Sequence, residues 1–386
     1  MPAKWVTFFT IFLAIYSLAN LYAAWRGWQT LHLYYPALNL SWYVLLCLFL
    51  TLAYPLGRFG ESLLPLGLIN KLTIIGSYWF GMIYYLFLLT ILLDLCSWAA
   101  GFAGFAGASH WRTAVGMPLV LAAATSLLIY GIYNANHPVI RNYEVTIHKP
   151  SPRSSLHVVM VSDIHLGKIV TTARLHDLIK RINALQPELV LLPGDIIDED
   201  VDLFADKRMA DAFTRLNPPL GTYAVLGNHE YIGGKSEAAI IELQRGGIKV
   251  LRDAAVKIDD SFYLAGRDDY SRHRFAGLTR APLAAIMQEV DTALPVILLD
   301  HQPADLAEAE AANVDLQLSG HTHRGQMFPN HLITQAVYEV DWGYLRKNRL
   351  QVIVSCGYGT WGPPIRIGNQ PEIVNLIIHF NPKEAP

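Results

Sequence analysis

The stretch Val-Val-Met-Val-Ser-Asp-Ile-His, residues 158–165, joins a short apolar run to an aspartate and a histidine two positions apart. An apolar run of this length predicts a buried strand, and the polar pair follows it directly. Successive side chains of an extended backbone alternate in direction, so Asp163 and His165 are expected to point the same way. The stretch therefore predicts a strand that ends in a pair of potential metal ligands.

The same pattern recurs along the chain, because four further apolar runs each end in polar residues. These runs are 189–192 before Pro-Gly-Asp195, 223–226 before Gly-Asn228-His229-Glu230, 296–299 before Asp-His301, and 316–318 before Ser-Gly-His321-Thr-His323. Amphipathic helical patterns lie at 172–185, 204–216, 235–245 and 303–311. Strands that alternate with helices predict a layered α/β domain. Its ligands are expected beyond the carboxyl ends of the strands, so the five strand ends should face one crevice.

The polar residues at these strand ends are aspartate, asparagine and histidine, without cysteine. Such donors suit manganese, iron or zinc ions rather than a cysteine-bound structural zinc. Seven candidate ligands exceed what one ion needs, whereas two ions bridged by one carboxylate would use them all. The candidates are Asp163, His165, Asp195, Asn228, His301, His321 and His323. A metal pair of this kind acts in displacement reactions at phosphorus.

The N-terminal third of the chain has a different composition. Of the 30 basic and 32 acidic residues in the chain, only seven lie within residues 1–136. Four apolar segments, each with the roughly 20 residues needed to cross a bilayer, lie at 5–25, 38–57, 72–93 and 114–134. We expect a four-helix transmembrane bundle over 1–136, a linker over 137–155 and the α/β domain over 156–386. This composition excludes a purely soluble enzyme. The net charge of −2, without a basic run, makes nucleic acid an unexpected partner.

Lysine and arginine residues beside the apolar segments predict the orientation, because positive loops tend to stay in the cytoplasm. One side carries Lys4, Arg58, Lys71 and Arg141, and the other carries Arg26 and Arg112. This count favours a cytoplasmic N-terminus and, after four crossings, a cytoplasmic C-terminal domain. Residues 1–24 are alternatively a signal peptide, and the three crossings that remain would leave the same domain inside. Asp94, at the edge of its segment, is interpreted as interfacial.

The blocks D-x-H, G-D, G-N-H-[DE], H and G-H-x-H occur in this order between residues 163 and 323. In this respect the chain resembles the calcineurin-like metallophosphoesterase family, from roughly residue 156 to the C-terminus. The tail Gly359-Thr-Trp-Gly-Pro-Pro-Ile-Arg366 is similar to the membrane-associated bacterial branch of that family. The resemblance implies a four-layer αββα sandwich and a location in the bacterial cytoplasmic (inner) membrane.

The resemblance also implies roles for individual residues. It assigns Asp163, His165 and His323 to one metal ion, Asn228, His301 and His321 to a second ion, and Asp195 to both. His229 is then not a ligand but a catalytic donor to a phosphate oxygen or to the leaving group, and Asp195 is the other catalytic residue. Asp198 either orients a ligand histidine or simply begins a helix. The implied cofactors are two divalent metal ions, manganese first, with iron, zinc or another ion as alternatives.

The implied activity is that of a phosphodiesterase or pyrophosphatase at the cytoplasmic face. Four spans exceed the single one that a tether needs, so we expect membrane lipids as partners and an amphiphilic substrate, such as a phospholipid-like molecule or lipid-linked nucleotide pyrophosphate. The candidates for its entrance are residues 63–69, Tyr358 and Trp361, with core packing as the alternative. Arg267, Arg272, Arg274 and Arg280 either grip an anion or lie in a solvated loop. A phosphodiesterase of a soluble nucleotide and a non-catalytic membrane scaffold stay open as alternatives.

Overall fold

The computed structural model describes residues 3–60 and 63–381, with the backbone alone for residues 3–9. The chain divides into two compact units. The first unit is helical and contains the chain up to Tyr133 together with Gly362–Ile365. The second unit contains Asn134–Trp361 and the chain from Arg366 onward. A four-residue segment from late in the chain therefore belongs to the helical unit.

The helical unit is built from apolar helices. They are α1 (Ala3–Tyr34), α2 (Leu40–Phe59), α3 (Leu66–Phe102), α4 (Ala108–Trp111) and α5 (Met117–Ala135). Among the described residues, three stretches are long and apolar enough to cross a membrane: α2, α3 and the stretch Ala108–Ala135. They coincide with three of the four predicted spans and indicate a membrane protein. The span predicted at 5–25 lies in α1. The side chains of its first residues are outside the described part of the chain, so this fourth span stays a prediction.

Polar side chains inside the helical unit bond to one another across helices. Oδ1 of Asn20 in α1 accepts from Oγ1 of Thr51 in α2 at 3.0 Å and from Nε1 of Trp79 in α3 at 2.8 Å. An unpaired amide would be costly in a bilayer, so these bonds fix how the three helices pack. Asp94, interpreted as interfacial, pairs with Arg26 at 2.5 Å. Its charge is thus compensated inside the unit.

Helices α2 and α3 approach each other closely at two glycines. A Cβ atom at Gly76 would lie 2.3 Å from the backbone nitrogen of Tyr54, and one at Gly57 would lie 2.5 Å from that of Thr73. Small residues let the backbones of membrane helices come together in this way. Thr73 also donates to the carbonyl of Gly57 at 3.0 Å. The α2–α3 pair therefore depends on the lack of side chains at these two positions.

The second unit contains two six-stranded mixed sheets. Its strands are β1 (Val139–Ile147), β2 (Ser155–Met160), β3 (Leu189–Pro193), β4 (Thr222–Val225), β5 (Ile248–Val250), β6 (Ala254–Ile258), β7 (Phe262–Gly266), β8 (Val296–Leu299), β9 (Leu316–Ser319), β10 (Gly343–Lys347), β11 (Leu350–Val354) and β12 (Glu372–Phe380). The strand orders are β1-β12-β2-β3-β4-β5 and β10-β11-β9-β8-β7-β6. Strands β2 to β5 are parallel to one another, and so are β7, β8, β9 and β11. Within each sheet these strands end at one edge.

Helices of the second unit cover the sheets. They are α6 (Thr172–Ala184), α7 (Val201–Asp206), α8 (Ala210–Phe213), α9 (Asn228–Ile232), α10 (Ser236–Arg245), α11 (Ser271–Ala276), α12 (Leu283–Ile286), α13 (Leu306–Ala311) and α14 (His331–Val337). One apolar cluster joins β2, β3 and β4 to α6, α8 and α10, and another joins β8 and β11 to α12 and α13. A third cluster contains residues of both sheets. The predicted α/β fold is confirmed, while the four-layer order stays a prediction.

Two connections differ from the sequence-based expectation. Residues 137–155, predicted to be a linker, contain β1, whose odd-numbered side chains from Tyr143 to Ile147 are the more buried ones. This alternation is typical of a half-buried strand, but its partner β12 lies near the C-terminus. Only residues 136–138 separate α5 from β1. The helix predicted at 204–216 is divided into α7 and α8, because Arg208 between them has a positive φ of 50°.

We expect Gly76→Ala to destabilise the helical unit, because the new methyl group would overlap the backbone of Tyr54. Overpacking of this kind typically costs about 1–3 kcal/mol. Gly101→Ala in the same helix is the control, since no described atom lies within 4 Å of a Cβ atom there. In thermal unfolding of the full chain in detergent, Tm should fall for Gly76→Ala and not for Gly101→Ala. Equal Tm values for the two variants would contradict the close packing of α2 and α3.

Candidate metal centre

Polar residues gather where parallel strands of both sheets end. Asp163 and His165 follow β2, Asp195 follows β3, Asn228 follows β4, His301 follows β8, and His321 and His323 follow β9. The structure brings these seven residues together in two groups. Asp163, His165 and His323 form one group, and Asp195, His301 and His321 form the core of the other. Within each trio the potential ligand atoms lie within 4.8 Å of one another.

The first group converges on one point. Nε2 of His165 and Nε2 of His323 are 3.0 Å apart, and Oδ1 of Asp163 is 3.5 Å from Nε2 of His323. Two nitrogen ligands at neighbouring positions around one ion, each about 2.1 Å from it, are separated by about 3 Å. All three side chains are buried. This spacing fits ligands of a single cation.

Asn228 completes the second group. Its Oδ1 lies 2.8 Å from Nδ1 of His321 and 3.2 Å from Nε2 of His301. Nε2 of His301 is also 3.1 Å from Oδ2 of Asp195. Nδ1 of His301 donates to the carbonyl of Pro193 at 2.9 Å, which directs Nε2 toward the group. Metal-binding histidines are typically held by such a bond from the other ring nitrogen.

Asp195 lies between the two groups. Its Oδ2 is 3.1 Å from Nε2 of His301 and 3.9 Å from Nε2 of His165. Its Oδ1 accepts from the backbone N–H of His229 at 2.8 Å, and this bond orients the carboxylate. One carboxylate thus reaches ligand atoms of both groups, as a bridging ligand of two ions requires.

His229 stands beside both groups. Its ring centroid is 4.5 Å from that of His165, and its Nδ1 is 3.1 Å from Oδ1 of Asp198 and 3.5 Å from Oε1 of Glu199. Burial lowers the pKa of His229, but Asp195, Asp198 and Glu199 outweigh burial and raise the pKa to about 9. The ring is therefore protonated at neutral pH. A proton held beside a candidate metal centre can serve as a general acid.

Asp198 contacts two histidines of the site. Its Oδ1 lies 3.5 Å from Nδ1 of His165 and 3.1 Å from Nδ1 of His229. Burial raises the pKa of Asp198, but the electrostatic interactions with these two rings outweigh burial and hold the pKa below its usual value. A carboxylate behind a ligand histidine orients the ring. Asp198 lies close to both rings, and its role in orienting a ligand histidine stays a prediction.

Two of the candidate ligands are neutral histidines. Burial, together with the nearby His301, lowers the pKa of His321 to about 3. Burial and the neighbouring His165 hold the pKa of His323 well below its usual value. Neutral rings offer lone pairs, and buried lone pairs that face one another are stabilised by a cation. The residues at the two groups therefore fit two divalent metal ions.

Five of the seven candidate ligands have left-handed backbone conformations. The φ angles are 50° at Asp163, 52° at His165, 51° at Asp195, 72° at His321 and 47° at His323. Each such conformation at a residue other than glycine costs of order 1–3 kcal/mol and persists only when the surrounding structure enforces it. Eleven other non-glycine residues of the described chain also have a positive φ, but five among only seven candidate ligands is a high proportion, which is consistent with a functional site.

Glu230 supports the site, although its place in the G-N-H-E block did not indicate a role for it. It is fully buried. Its carboxylate accepts from the backbone N–H groups of Asp195 at 3.2 Å, Ile197 at 2.9 Å and Gly227 at 2.8 Å. These bonds tie the turn after β3 to the turn after β4. Glu230 therefore holds two ligand-bearing turns in a fixed relation.

Arg366 is the second residue whose role the sequence did not reveal. It is fully buried. Its guanidinium donates to the carbonyl of Gly359 at 2.6 Å and to Oδ1 of Asn369 at 2.8 Å, and one of its nitrogens is 3.2 Å from Nδ1 of His323. The N–H of Gly359 donates in turn to the carbonyl of Asp163 at 2.7 Å. Arg366 thus connects His323 to the loop behind Asp163.

Three of the arginines considered for anion binding form ion pairs instead. Arg267 and Arg280 pair with Asp300 at 3.5 and 3.0 Å, and Arg272 pairs with Asp253 at 3.2 Å. Burial raises the pKa of Asp300 to about 6, although both of its arginines oppose this shift. These guanidinium groups are directed at carboxylates within the fold. Binding of an external anion by these arginines stays a prediction.

A cavity of about 350 Å³ opens over the two groups. His229 lines it on the polar side, and Ile232, Ile333 and Trp361 form an apolar wall. Trp361, predicted at the entrance, is half exposed, and its ring lies 6.2 Å from that of His229. Tyr358 is completely buried, so its predicted place at the entrance is wrong and the alternative of core packing holds.

The sequence is similar to several known proteins. Residues 156–325 match the family model described as calcineurin-like phosphoesterase. An uncharacterized metallophosphoesterase of Aquifex aeolicus is 34% identical, over 62% of this chain and 91% of that protein. Transmembrane proteins with a metallophosphoesterase domain are also similar. The one from Bos taurus is 30% identical over 75% of this chain and 68% of its own length. The one from Danio rerio is 32% identical over 67% of this chain and 62% of its own length.

We expect Asp195→Ala to lower the metal content of the purified full chain from two ions to one or none, because this carboxylate reaches both ligand groups. The measurement is elemental analysis after dialysis against Mn²⁺. Asp315→Ala is the control, since Asp315 is also buried but precedes β9, at the opposite end of that strand. Its metal content should stay that of the unmodified chain. Two bound ions in Asp195→Ala would show that the carboxylate is not shared.

Proposed function

The chain belongs to the calcineurin-like phosphoesterase family, and we propose that it is a membrane-embedded hydrolase that uses two divalent metal ions to cleave a phosphoester or pyrophosphate bond. The observation that carries this proposal is the position of Asp195, whose Oδ2 faces Nε2 of His301 at 3.1 Å and Nε2 of His165 at 3.9 Å. Family membership supports metal-dependent phosphoester hydrolysis. The number of ions and the type of bond are part of the proposal.

The seven candidate ligands divide between the two ions. Asp163, His165 and His323 would hold one ion, Asn228, His301 and His321 would hold the other, and Asp195 would be shared. The donors are nitrogen and oxygen atoms without thiolate, so manganese is our first choice, with iron and zinc as alternatives. When bound, the ions supply positive charge that polarises the phosphoryl group and stabilises its displacement.

His229 is the residue that we assign to proton transfer. Its Nδ1 lies 3.1 Å from Oδ1 of Asp198, and the residue lines the cavity. The neighbouring carboxylates raise the pKa of the ring, which favours its protonated form. It donates this proton from Nε2 to the leaving oxygen as the bond to phosphorus breaks, and solvent then protonates the ring again.

We propose an amphiphilic substrate, such as a phospholipid-like molecule or a lipid-linked nucleotide pyrophosphate, with membrane lipids as partners. The first support is the short connection between a membrane helix and the second unit. Helix α5 ends at Ala135 and β1 begins at Val139, and a chain of this length spans at most roughly 14 Å. The linker predicted from the sequence would have allowed a reach of roughly 70 Å. The connection therefore allows the start of β1 much less reach from the membrane helix than the predicted linker would.

The second support is the apolar wall of the cavity, formed by Ile232, Ile333 and Trp361. Apolar side chains beside a polar centre suit a substrate with both an acyl group and a phosphate ester. The residues that follow Trp361 directly, Gly362–Ile365, belong to the helical unit. Equal kcat/KM values for a lipid-linked substrate and its deacylated analogue would favour a soluble nucleotide instead, because remote binding energy would then contribute nothing.

We place the active site at the cytoplasmic face of a bacterial inner membrane. The support is the distribution of lysine and arginine beside the spans. Of the two arginines on the opposite side, Arg26 lies 2.5 Å and Arg112 lies 3.6 Å from Asp94. A reporter protein that is active only in the cytoplasm should therefore be active when it is fused after His148. A reporter that is active only in the periplasm should be inactive there. Activity of a periplasmic reporter at this position would overturn the proposed orientation.

We expect the full chain loaded with Mn²⁺ to hydrolyse a chromogenic phosphodiester, and we expect His229→Ala to lower kcat by about 10²–10⁴ through loss of the proton donor. Both ions should stay bound in this variant. His176→Ala is the control, because His176 is an exposed residue of α6, and its kcat should be unchanged. Loss of metal in His229→Ala would make His229 a ligand. Failure of the metal-loaded chain to hydrolyse monoesters, diesters and pyrophosphates would favour a non-catalytic scaffold.

We expect Asp198→Asn to move the alkaline limb of the kcat profile to lower pH. Three carboxylates, Asp198 among them, raise the pKa of His229 to about 9. Activity that needs the protonated ring is lost as the pH rises through this pKa, so removal of one negative charge moves the loss to lower pH. Glu199→Gln should give a smaller shift in the same direction, since Glu199 is 3.5 Å from Nδ1 of His229 and Asp198 is 3.1 Å away. The measurement is a pH–rate profile at verified metal content. An unchanged alkaline limb in Asp198→Asn would contradict the assignment.

A further inference from the structure

An apolar surface lies on the second unit beside the metal centre. Among the described residues of this unit, ten large apolar side chains are exposed, and four of them fall within residues 328–337. These are Phe328, Leu332, Ile333 and Val337, with exposed fractions of 53%, 59%, 64% and 66%. Single exposed apolar residues are ordinary, whereas a cluster of them marks an interaction surface.

Helix α14 presents these residues on one side. Leu332, Ile333, Ala336 and Val337 occupy positions i, i+1, i+4 and i+5, which share one face of a helix. Thr334 lies on the other side, and its hydroxyl donates to Oδ2 of Asp341 at 2.6 Å. This bond attaches α14 to the domain and leaves the apolar face turned outward. Phe328 extends the face, since it is exposed and precedes the helix.

We propose that the α14 surface, formed by Phe328, Leu332, Ile333, Ala336 and Val337, docks into the acyl region of the lipid bilayer in which the helical unit is anchored. The described part of the chain has three helices able to span a membrane, and three residues connect α5 to β1. A bilayer is therefore always near the second unit, at an effective concentration that a soluble partner does not have.

The composition of the surface favours lipid over a protein partner. Residues 328–337 contain no Asp, Glu, Lys or Arg, so no charge has to be dehydrated when the surface enters the acyl boundary. Bulky apolar residues on one face of a helix are the feature that lets it lie in the plane of a membrane interface. A protein-binding surface usually has a polar rim with charged residues.

Docking would determine where the cavity opens. Ile333 belongs to the α14 surface and also lines the cavity over the two ligand groups. With the apolar face among the acyl chains, the mouth of the cavity lies at the level of the lipid headgroups, where phosphate esters are found. The inference concerns the position of the domain and does not rest on catalysis, so it stands or falls apart from the proposed activity.

The test places a bimane fluorophore on single cysteines of the full chain, after Cys47 and Cys96 are replaced by serine. The chain is reconstituted in nanodiscs of phosphatidylcholine and phosphatidylglycerol, with or without bromine on the acyl chains. Quenching by brominated acyl chains should be at least about twofold stronger at Ile333→Cys and Val337→Cys than at Gln335→Cys, because an interfacial helix buries only its apolar face. Ile241→Cys is the second control, since Ile241 is an isolated residue of α10 that is 64% exposed.

A charge variant separates docking from folding. Leu332→Asp combined with Val337→Asp changes the α14 surface at two residues that do not line the cavity. This variant should keep the Tm of the full chain and its turnover of a soluble diester, but it should lose the quenching at position 333. Turnover of a phospholipid ester in the same nanodiscs should fall by about tenfold, because charges oppose entry into the acyl boundary. Ile241→Asp should change none of these values.

Two results would overturn the proposal. The first is quenching at positions 333 and 337 no stronger than at position 241. The second is shielding of the fluorophore at position 333 from solvent that appears only when a nanodisc holds two chains and does not change with bromine on the acyl chains. This result would identify a second copy of the chain as the occupant.

Discussion

The carboxylate and backbone of Asp195 are the point at which distant segments of the second unit meet. Its N–H donates to Glu230 at 3.2 Å, and its carbonyl accepts from the N–H of His165 at 3.0 Å. Its Oδ1 accepts from the N–H of His229, and its Oδ2 faces His301. Every polar atom of this residue is thus directed at another part of the site. A displacement of Asp195 would move turns from both sheets, so the rest of the site depends on this residue.

The site is costly to build without a cation. Ligand residues such as His165 and His323 combine burial, left-handed backbone and ring nitrogens only 3.0 Å apart. Parallel strands make the convergence possible, because their carboxyl ends lie at one edge of each sheet, and residues of both sheets share an apolar cluster. The bonds of Glu230 and Arg366 hold the turns in place. Metal ions bound to such a site would contribute to the free energy of folding, since the same contacts are absent from the unfolded chain.

The parts of the site that were predictable from the sequence are those in which the signal is local. Asp163 and His165 follow an apolar run directly, so their strand and their place beyond its end could be predicted, whereas their left-handed backbone conformation could not. Glu230 and Arg366 could not be assigned in this way, because their partners are backbone groups and a histidine on other segments. Strand β1 was missed for the same reason, since its neighbour β12 is near the other end of the chain. Tyr358 shows the opposite error, because an aromatic residue near a motif looks accessible until the packing around it is known.

Between Trp361 and Arg366 the chain passes from the second unit into the helical unit and back. Trp361 lines the cavity, and Arg366 contacts Nδ1 of His323. The four residues between them belong to the helical unit, where a Cβ atom at Gly81 would lie 2.8 Å from Ile365. Neighbouring residues in a chain cannot move independently over such short distances. The contacts of Trp361 and Arg366 hold the two ends of the segment Gly362–Ile365. A different membrane anchor would leave these four residues without their packing partners. Residues that line the cavity and support His323 are thus covalent neighbours of a segment that packs within the helical unit.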